Sequence, residues 1–83
     1  MTTIINQNKP FSTFDLGLVA ALLTDGFRLL SLNKVNPKKV AFYFEYEEDL
    51  DQVVEDYFSS NLQVDAQTYF NHIKSTKNRI YTN

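Results

Sequence analysis

The run Leu16-Gly-Leu-Val-Ala-Ala-Leu-Leu23 constrains the fold of this chain more than any other segment. Asp15 directly precedes it, as a helix N-cap would, with Ser12 and Thr13 as further candidates. Asp25-Gly26 closes it, with a glycine suited to the left-handed position after a helix. Leu16, Val19, Ala20 and Leu23 make one stripe, and Leu18 and Leu22 lie beside it. A helix that is apolar nearly all round has to be covered on more than one side. The chain has only 83 residues, and chains of that size bury about 60% of their unfolded surface. The cover must therefore come from few, large side chains. Seven Phe and five Tyr supply it, each ring burying roughly 150–250 Å². Gly17 costs about 1 kcal/mol against alanine inside a helix, which implies that something approaches it closely.

Residues 1–9 are mostly polar, carry Ile4 and Ile5, and end at Pro10. They read as a loose arm or the approach to a first short strand, ahead of a single domain over 10–83. Phe27–Leu32 reads as a strand and Asn33–Lys39 as a loop marked by Asn-Pro. Val40–Tyr46 is the clearest strand, with Phe42, Phe44 and Tyr46 on one face and Ala41, Tyr43 and Glu45 on the other. The seven-residue connection predicts an antiparallel hairpin. Asp49 is expected to start a second helix, with Gln52 as capping-box partner and Leu50, Val53, Val54, Tyr57 and Phe58 as its apolar stripe. Ser59-Ser-Asn61 breaks it. Asp65 is the expected N-cap of a third helix, with Val64 and Tyr69 as a hydrophobic staple and Ala66, Tyr69, Phe70, Ile73, Ile80 and Tyr81 as the buried stripe. The order is an α+β layout, a small antiparallel sheet (hairpin plus a short N-terminal strand) packed by three helices.

Charge is segregated. The formal total is −2, yet seven acids lie between Glu45 and Asp56, and no Lys or Arg lies between Lys39 and Lys74. The bases form two groups, Lys34/Lys38/Lys39 and Lys74/Lys77/Arg79. A simple polyanion binder would usually be basic. There is no cysteine, hence neither a disulfide nor a cysteine-based zinc site, and His72 is the sole histidine. No cofactor is implied. No apolar run reaches the length of a membrane span and the start lacks a signal-peptide pattern, so a cytoplasmic setting is expected.

The candidate chemistries separate on physical grounds. A nucleophile–base pair would need His72 beside a hydroxyl and an orienting carboxylate, but its place between Phe70 and Ile73 reads as a helix-boundary histidine. Acids as dense as Glu45–Asp56 are more often solvated than buried and shifted. Glu47, Glu48, Asp49 and Asp51 lack EF-hand spacing and a loop glycine, so no metal site is assigned. The Val40–Tyr46 strand superficially resembles an aromatic strand on which bases stack, but its flanking acids would repel phosphate. Lys74, Lys77, Asn78 and Arg79 form a compact basic end of the third helix.

Phe11-Ser-Thr-Phe-Asp-Leu16, the Gly26-Phe27 turn, the Val40–Tyr46 strand leading into acids, and Val64-Asp-Ala-Gln-Thr-Tyr-Phe70 followed by Lys74 and Lys77-Asn-Arg-Ile-Tyr81 together are suggestive. Over residues 10–81 the chain resembles an uncharacterised family of small proteins from bacteriophages, mobile elements and Gram-positive bacteria. That resemblance implies a phage or mobile-element protein in a bacterial cytoplasm and carries over no catalytic residue. The abundance of Asn, Lys, Ile, Phe and Tyr fits an AT-rich genome. The expectation is a non-catalytic protein-binding accessory module, with a homodimer as one form, whose acidic face of Glu47, Glu48, Asp51, Glu55 and Asp56 engages a basic host or phage partner. The alternative is weak nucleic-acid binding through Lys74, Lys77, Asn78 and Arg79. No membrane partner is expected.

Overall fold

A computed structural model describes residues 9–36 and 38–82. The arm expected at 1–9 lies, Lys9 apart, outside the described residues. The described chain runs β1 (Phe11–Thr13), α1 (Leu16–Thr24), β2 (Leu29–Asn33), β3 (Ala41–Phe44), α2 (Leu50–Phe58) and α3 (Ala66–Tyr81). The strands form one antiparallel sheet in the order β1-β3-β2, so the architecture is α+β with β3 at its centre. Ser12 and Thr13 belong to β1 and do not cap α1. Tyr46 lies beyond the end of β3, which is shorter than the sequence pattern suggests.

The inner face of the sheet follows from register. Phe11 and Leu29 flank Phe44, while Thr13 and Leu32 flank Phe42. Leu29 and Leu32 are three residues apart and would point to opposite faces of a regular strand. An irregularity between Leu29 and Ser31 inserts Leu30 as the surplus residue. It turns Leu30 out to solvent and brings Leu29 and Leu32 to the same face. Phe42 and Phe44 join Leu18, Val19, Leu22, Phe27, Leu50 and Val53 in the core. The apolar girth of α1 is thereby covered, as its composition requires.

Asp15 caps α1 by accepting from the Leu18 amide at 3.1 Å, and Gly26 sits at φ +97° after it. Asp65 caps α3 in the same way, accepting from the Thr68 amide at 2.9 Å and from its hydroxyl at 2.7 Å. The capping box expected at Asp49 does not form. Asp49 is itself in helical conformation (φ −80°, ψ −9°) with no side-chain cap bond, and the Gln52 amide donates to Asp56 instead.

Two apolar stripes are narrower than their sequence patterns. Helix α2 packs chiefly on α1. A single neighbour covers a limited arc, so Leu50 and Val53 are buried and Phe58 is exposed. On α3 the inward positions are Tyr69, Ile73, Thr76 and Ile80, at spacings of four, three and four. Ala66, Phe70 and Tyr81 face outward. The apparent gap in the α3 stripe near Lys77 is filled by Thr76, which is 1% exposed. Thr76 is small, as are the buried Ala20 and Ala21 of α1, its main neighbour, and such side chains let helices approach closely.

Among the described residues the Thr76 hydroxyl has no hydrogen-bond partner. A buried hydroxyl without a partner forfeits its hydration, so Thr76→Val, nearly the same shape, is expected to raise stability by about 1 kcal/mol. A denaturant melt measures it. A loss of similar size would show that the hydroxyl is bonded in solution.

Candidate functional site

The basic groups separated in sequence meet in space. Lys34 Nζ donates to the Thr82 carbonyl, 48 positions away, which ties the β2–β3 loop to the end of α3. Lys34 and Arg79 line one groove with Leu32 and Thr82. Lys38 and Lys39 line another with Phe14, Val40, Ile80 and Tyr81. A third shares Phe14 and Lys39 and runs past Asn33 and Val35 to Ala41 and Tyr43 on the outer face of the sheet. Among the described residues, no Asp or Glu lines any of the three.

These grooves continue into an exposed stripe of α3. Phe70, Lys74, Lys77 and Tyr81 are spaced four, three and four apart, which places them on one helix face. Phe70 is 57% and Tyr81 84% exposed, and Phe14 between β1 and α1 is 59% exposed. Lys74 Nζ lies 5.4 Å from the Phe70 ring centroid, and Lys39 Nζ lies 5.2 Å from that of Phe14. Such cation–π pairs hold lysines against aromatic faces. Asn78 flanks the stripe and is exposed, whereas Arg79 turns away from it toward Lys34. Of the four residues expected at the basic end, Lys74, Lys77 and Asn78 therefore share one side and Arg79 another. Lys34, Lys38 and Lys39 join them only through the fold.

The acidic candidates are placed on and before α2. Glu47, Glu48, Asp51 and Glu55 are exposed and Asp56 is half-buried. Asp51 accepts from the Tyr46 hydroxyl at 2.6 Å, and Asp56 accepts from Gln52 at 3.0 Å. The Asp51 hydrogen bond is the main reason that the Tyr46 phenol titrates above its ordinary range. Among the described residues, no three His, Cys, Asp or Glu side chains are grouped to hold a metal ion. His72 is half-buried on α3.

A polar knot joins the three helices beside Gly17. The Tyr57 hydroxyl donates to Asp15 Oδ1 at 3.1 Å, and the Tyr69 hydroxyl donates to the Gly17 carbonyl at 3.2 Å. A Cβ on residue 17 would lie 2.3 Å from the Tyr57 oxygen, which explains the glycine. Burial, the Asp15 charge and the Asp15 hydrogen bond push the Tyr57 pKa from 10.0 up to about 12. The folded state therefore holds this proton more tightly than the unfolded chain does. The resulting stability is complete below about pH 10 and disappears as pH rises through about 12. Alkaline melts should lose stability across that window in the wild type, and lose less in Tyr57→Phe. Identical pH profiles would show that Tyr57 is free of Asp15.

Acids and bases are thus sorted onto separate surfaces of one small α+β domain, with exposed rings beside the bases. The chain belongs to the DUF5659 family, a domain of unknown function whose model matches residues 8–82. No curated protein and no solved structure matches it. No helix among the described residues is long and apolar enough to cross a membrane.

Phe14, Phe70 and Tyr81 are the candidate-site residues that sequence reasoning missed, whereas Tyr43 belongs to the strand already weighed as a stacking surface. Residue type alone places Phe70 and Tyr81 in the core, whereas their angular offset from the Tyr69–Ile73–Thr76–Ile80 seam places them outside it. Phe14 lies between two elements, and that position was the signal that its ring belongs to neither.

Proposed function

We propose that this chain is a non-catalytic binding module whose working surface is its basic and aromatic end, and that this end takes nucleic acid. The supporting observation is the convergence of the β2–β3 loop lysines with the end of α3 around grooves that no carboxylate lines. Phosphate binding needs such a surface locally even where the net charge is negative. The setting we propose is that of a small phage or mobile-element accessory protein in the cytoplasm of a bacterial host. The composition and the resemblance described above support it.

The test is a polarisation titration with a labelled oligonucleotide, beginning at low salt. Four phosphates held by Lys38, Lys39, Lys74 and Lys77 would weaken binding roughly fiftyfold between about 50 and 200 mM salt. Changing those four residues to Gln is expected to weaken it at least about tenfold and to flatten the salt dependence. Absence of binding at low salt would end this reading.

Protein binding through the acidic face is the second reading, and the exposed Phe58 favours it. Phe58 lies beside Asp51 and Glu55 on the outer side of α2, an aromatic anchor with an acidic rim. A basic partner, or a second copy in a homodimer, would bury it. Asp51→Asn, Glu55→Gln and Asp56→Asn together would slow association with such a partner and leave oligonucleotide binding in place. The opposite pattern would exchange the two readings.

A further inference from the structure

We propose that the ligand of the basic and aromatic end is specifically a single-stranded nucleic acid, with bases stacked on Phe14, Phe70 and Tyr81 and phosphates held by the lysines between them. This rests on the nucleic-acid reading above and narrows it.

Rings and pairs of lysines are interspersed along one continuous path. Phe70, Lys74, Lys77 and Tyr81 follow the exposed face of α3, and Tyr81 opens into the groove of Phe14, Lys38 and Lys39. Phe70 to Tyr81 spans eleven residues, or about 16 Å of helix. That length matches roughly five bases at the 3.4 Å spacing of one strand. The three rings are more than half exposed; Lys39 and Lys74 lie over one face of Phe14 and of Phe70, so a base stacks there on the opposite face.

A duplex offers phosphates but hides its base faces within the stack. The electrostatics of this end would suit a duplex, but the exposed rings would then have no role. A single strand offers both chemistries at once, a charged backbone for the lysines and flat apolar faces for the rings. The two cation–π pairs already hold Lys39 and Lys74 beside Phe14 and Phe70, so charge and stacking surface sit at the same points along the path. Charge complementarity excludes the acidic α2 surface from this path. It also keeps the strand to the end that no carboxylate lines.

The experiment compares three labelled probes on the full chain at one low salt concentration: a ten-residue oligothymidylate, an abasic strand of the same length, and a ten-base-pair duplex. Oligothymidylate is expected to bind at least about tenfold tighter than the abasic strand, since each stacked base contributes severalfold or more. It is also expected to bind tighter than the duplex. Tyr81→Ala and Phe70→Ala remove exposed rings, so their thermal melts should match the wild type. Each should weaken oligothymidylate about fivefold or more while leaving the abasic strand and the salt slope unchanged. Equal binding of oligothymidylate and the abasic strand, or ring variants without effect, would overturn the stacking proposal and leave the charge reading intact. Tighter binding of the duplex would overturn it as well. Failure of all three probes at low salt would remove both.

Discussion

Phe44→Ala is expected to lower stability by about 3–5 kcal/mol in a denaturant melt. Phe44 is fully buried on the central strand, between Phe11 of β1 and Leu29 of β2. Its ring touches the core on the face that α1 covers, so truncation leaves a cavity that three elements would have to close together. A domain this small sits low in the usual range of about 5–15 kcal/mol, so the variant would be largely unfolded at room temperature. A loss below about 1 kcal/mol would show that the inner face of the sheet is open. In that event Phe42 and Phe44 would themselves become stacking candidates.

Asp15→Ala is expected to cost about 2–3 kcal/mol, far more than removal of an exposed carboxylate. One oxygen of Asp15 serves two elements, receiving the Leu18 amide that starts α1 and the Tyr57 hydroxyl of α2. Loss of the cap contributes about 1 kcal/mol, and the stranded, partly buried hydroxyl adds about 1–2 kcal/mol. The second part is separable, because Tyr57→Phe removes the stranded group. In a double-mutant cycle the two changes should couple by at least about 0.5 kcal/mol. Strict additivity in the denaturant melts would show that Asp15 acts on α1 alone.

The order of elements was legible in the sequence because punctuation and periodicity agreed. Asp15, Gly26 and Asp65 each occupy the backbone conformation their chemistry suits, and Val40–Tyr46 contains a true central strand. Gly17 signalled a close neighbour, though only the fold identifies it as Tyr57. Local rules failed where one partner decided how wide a buried stripe becomes. Three leucines in four residues cannot show which is surplus, so Leu30 was invisible as an outward residue. Residue type overrode angle on α3, where a threonine occupies the seam and two aromatics do not. The candidate site was the least legible, because the approach of Lys34–Lys39 to the end of α3 depends on the chain's path between them. Each basic group alone reads as ordinary solvated charge or as a cation suited to a helix C-terminus. Their sum exists only in three dimensions.

The surplus Leu30 bears on how this molecule avoids its own kind. With β3 in the centre, the rows of N–H and C=O groups left unpaired among the described residues belong to β1 and β2. Such a row is a template on which a foreign strand can grow into fibrils. β1 is only three residues long, too short to hold a guest. β2 is five residues long, and there the misfit at Leu30 breaks the row into two pieces that no regular strand can match. Deleting Leu30 would restore a regular ladder, with Leu29 and Leu32 still facing the core and Ser31 between them on the outer face. The product would be a straight, unbroken edge on which a foreign strand could pair along its full length.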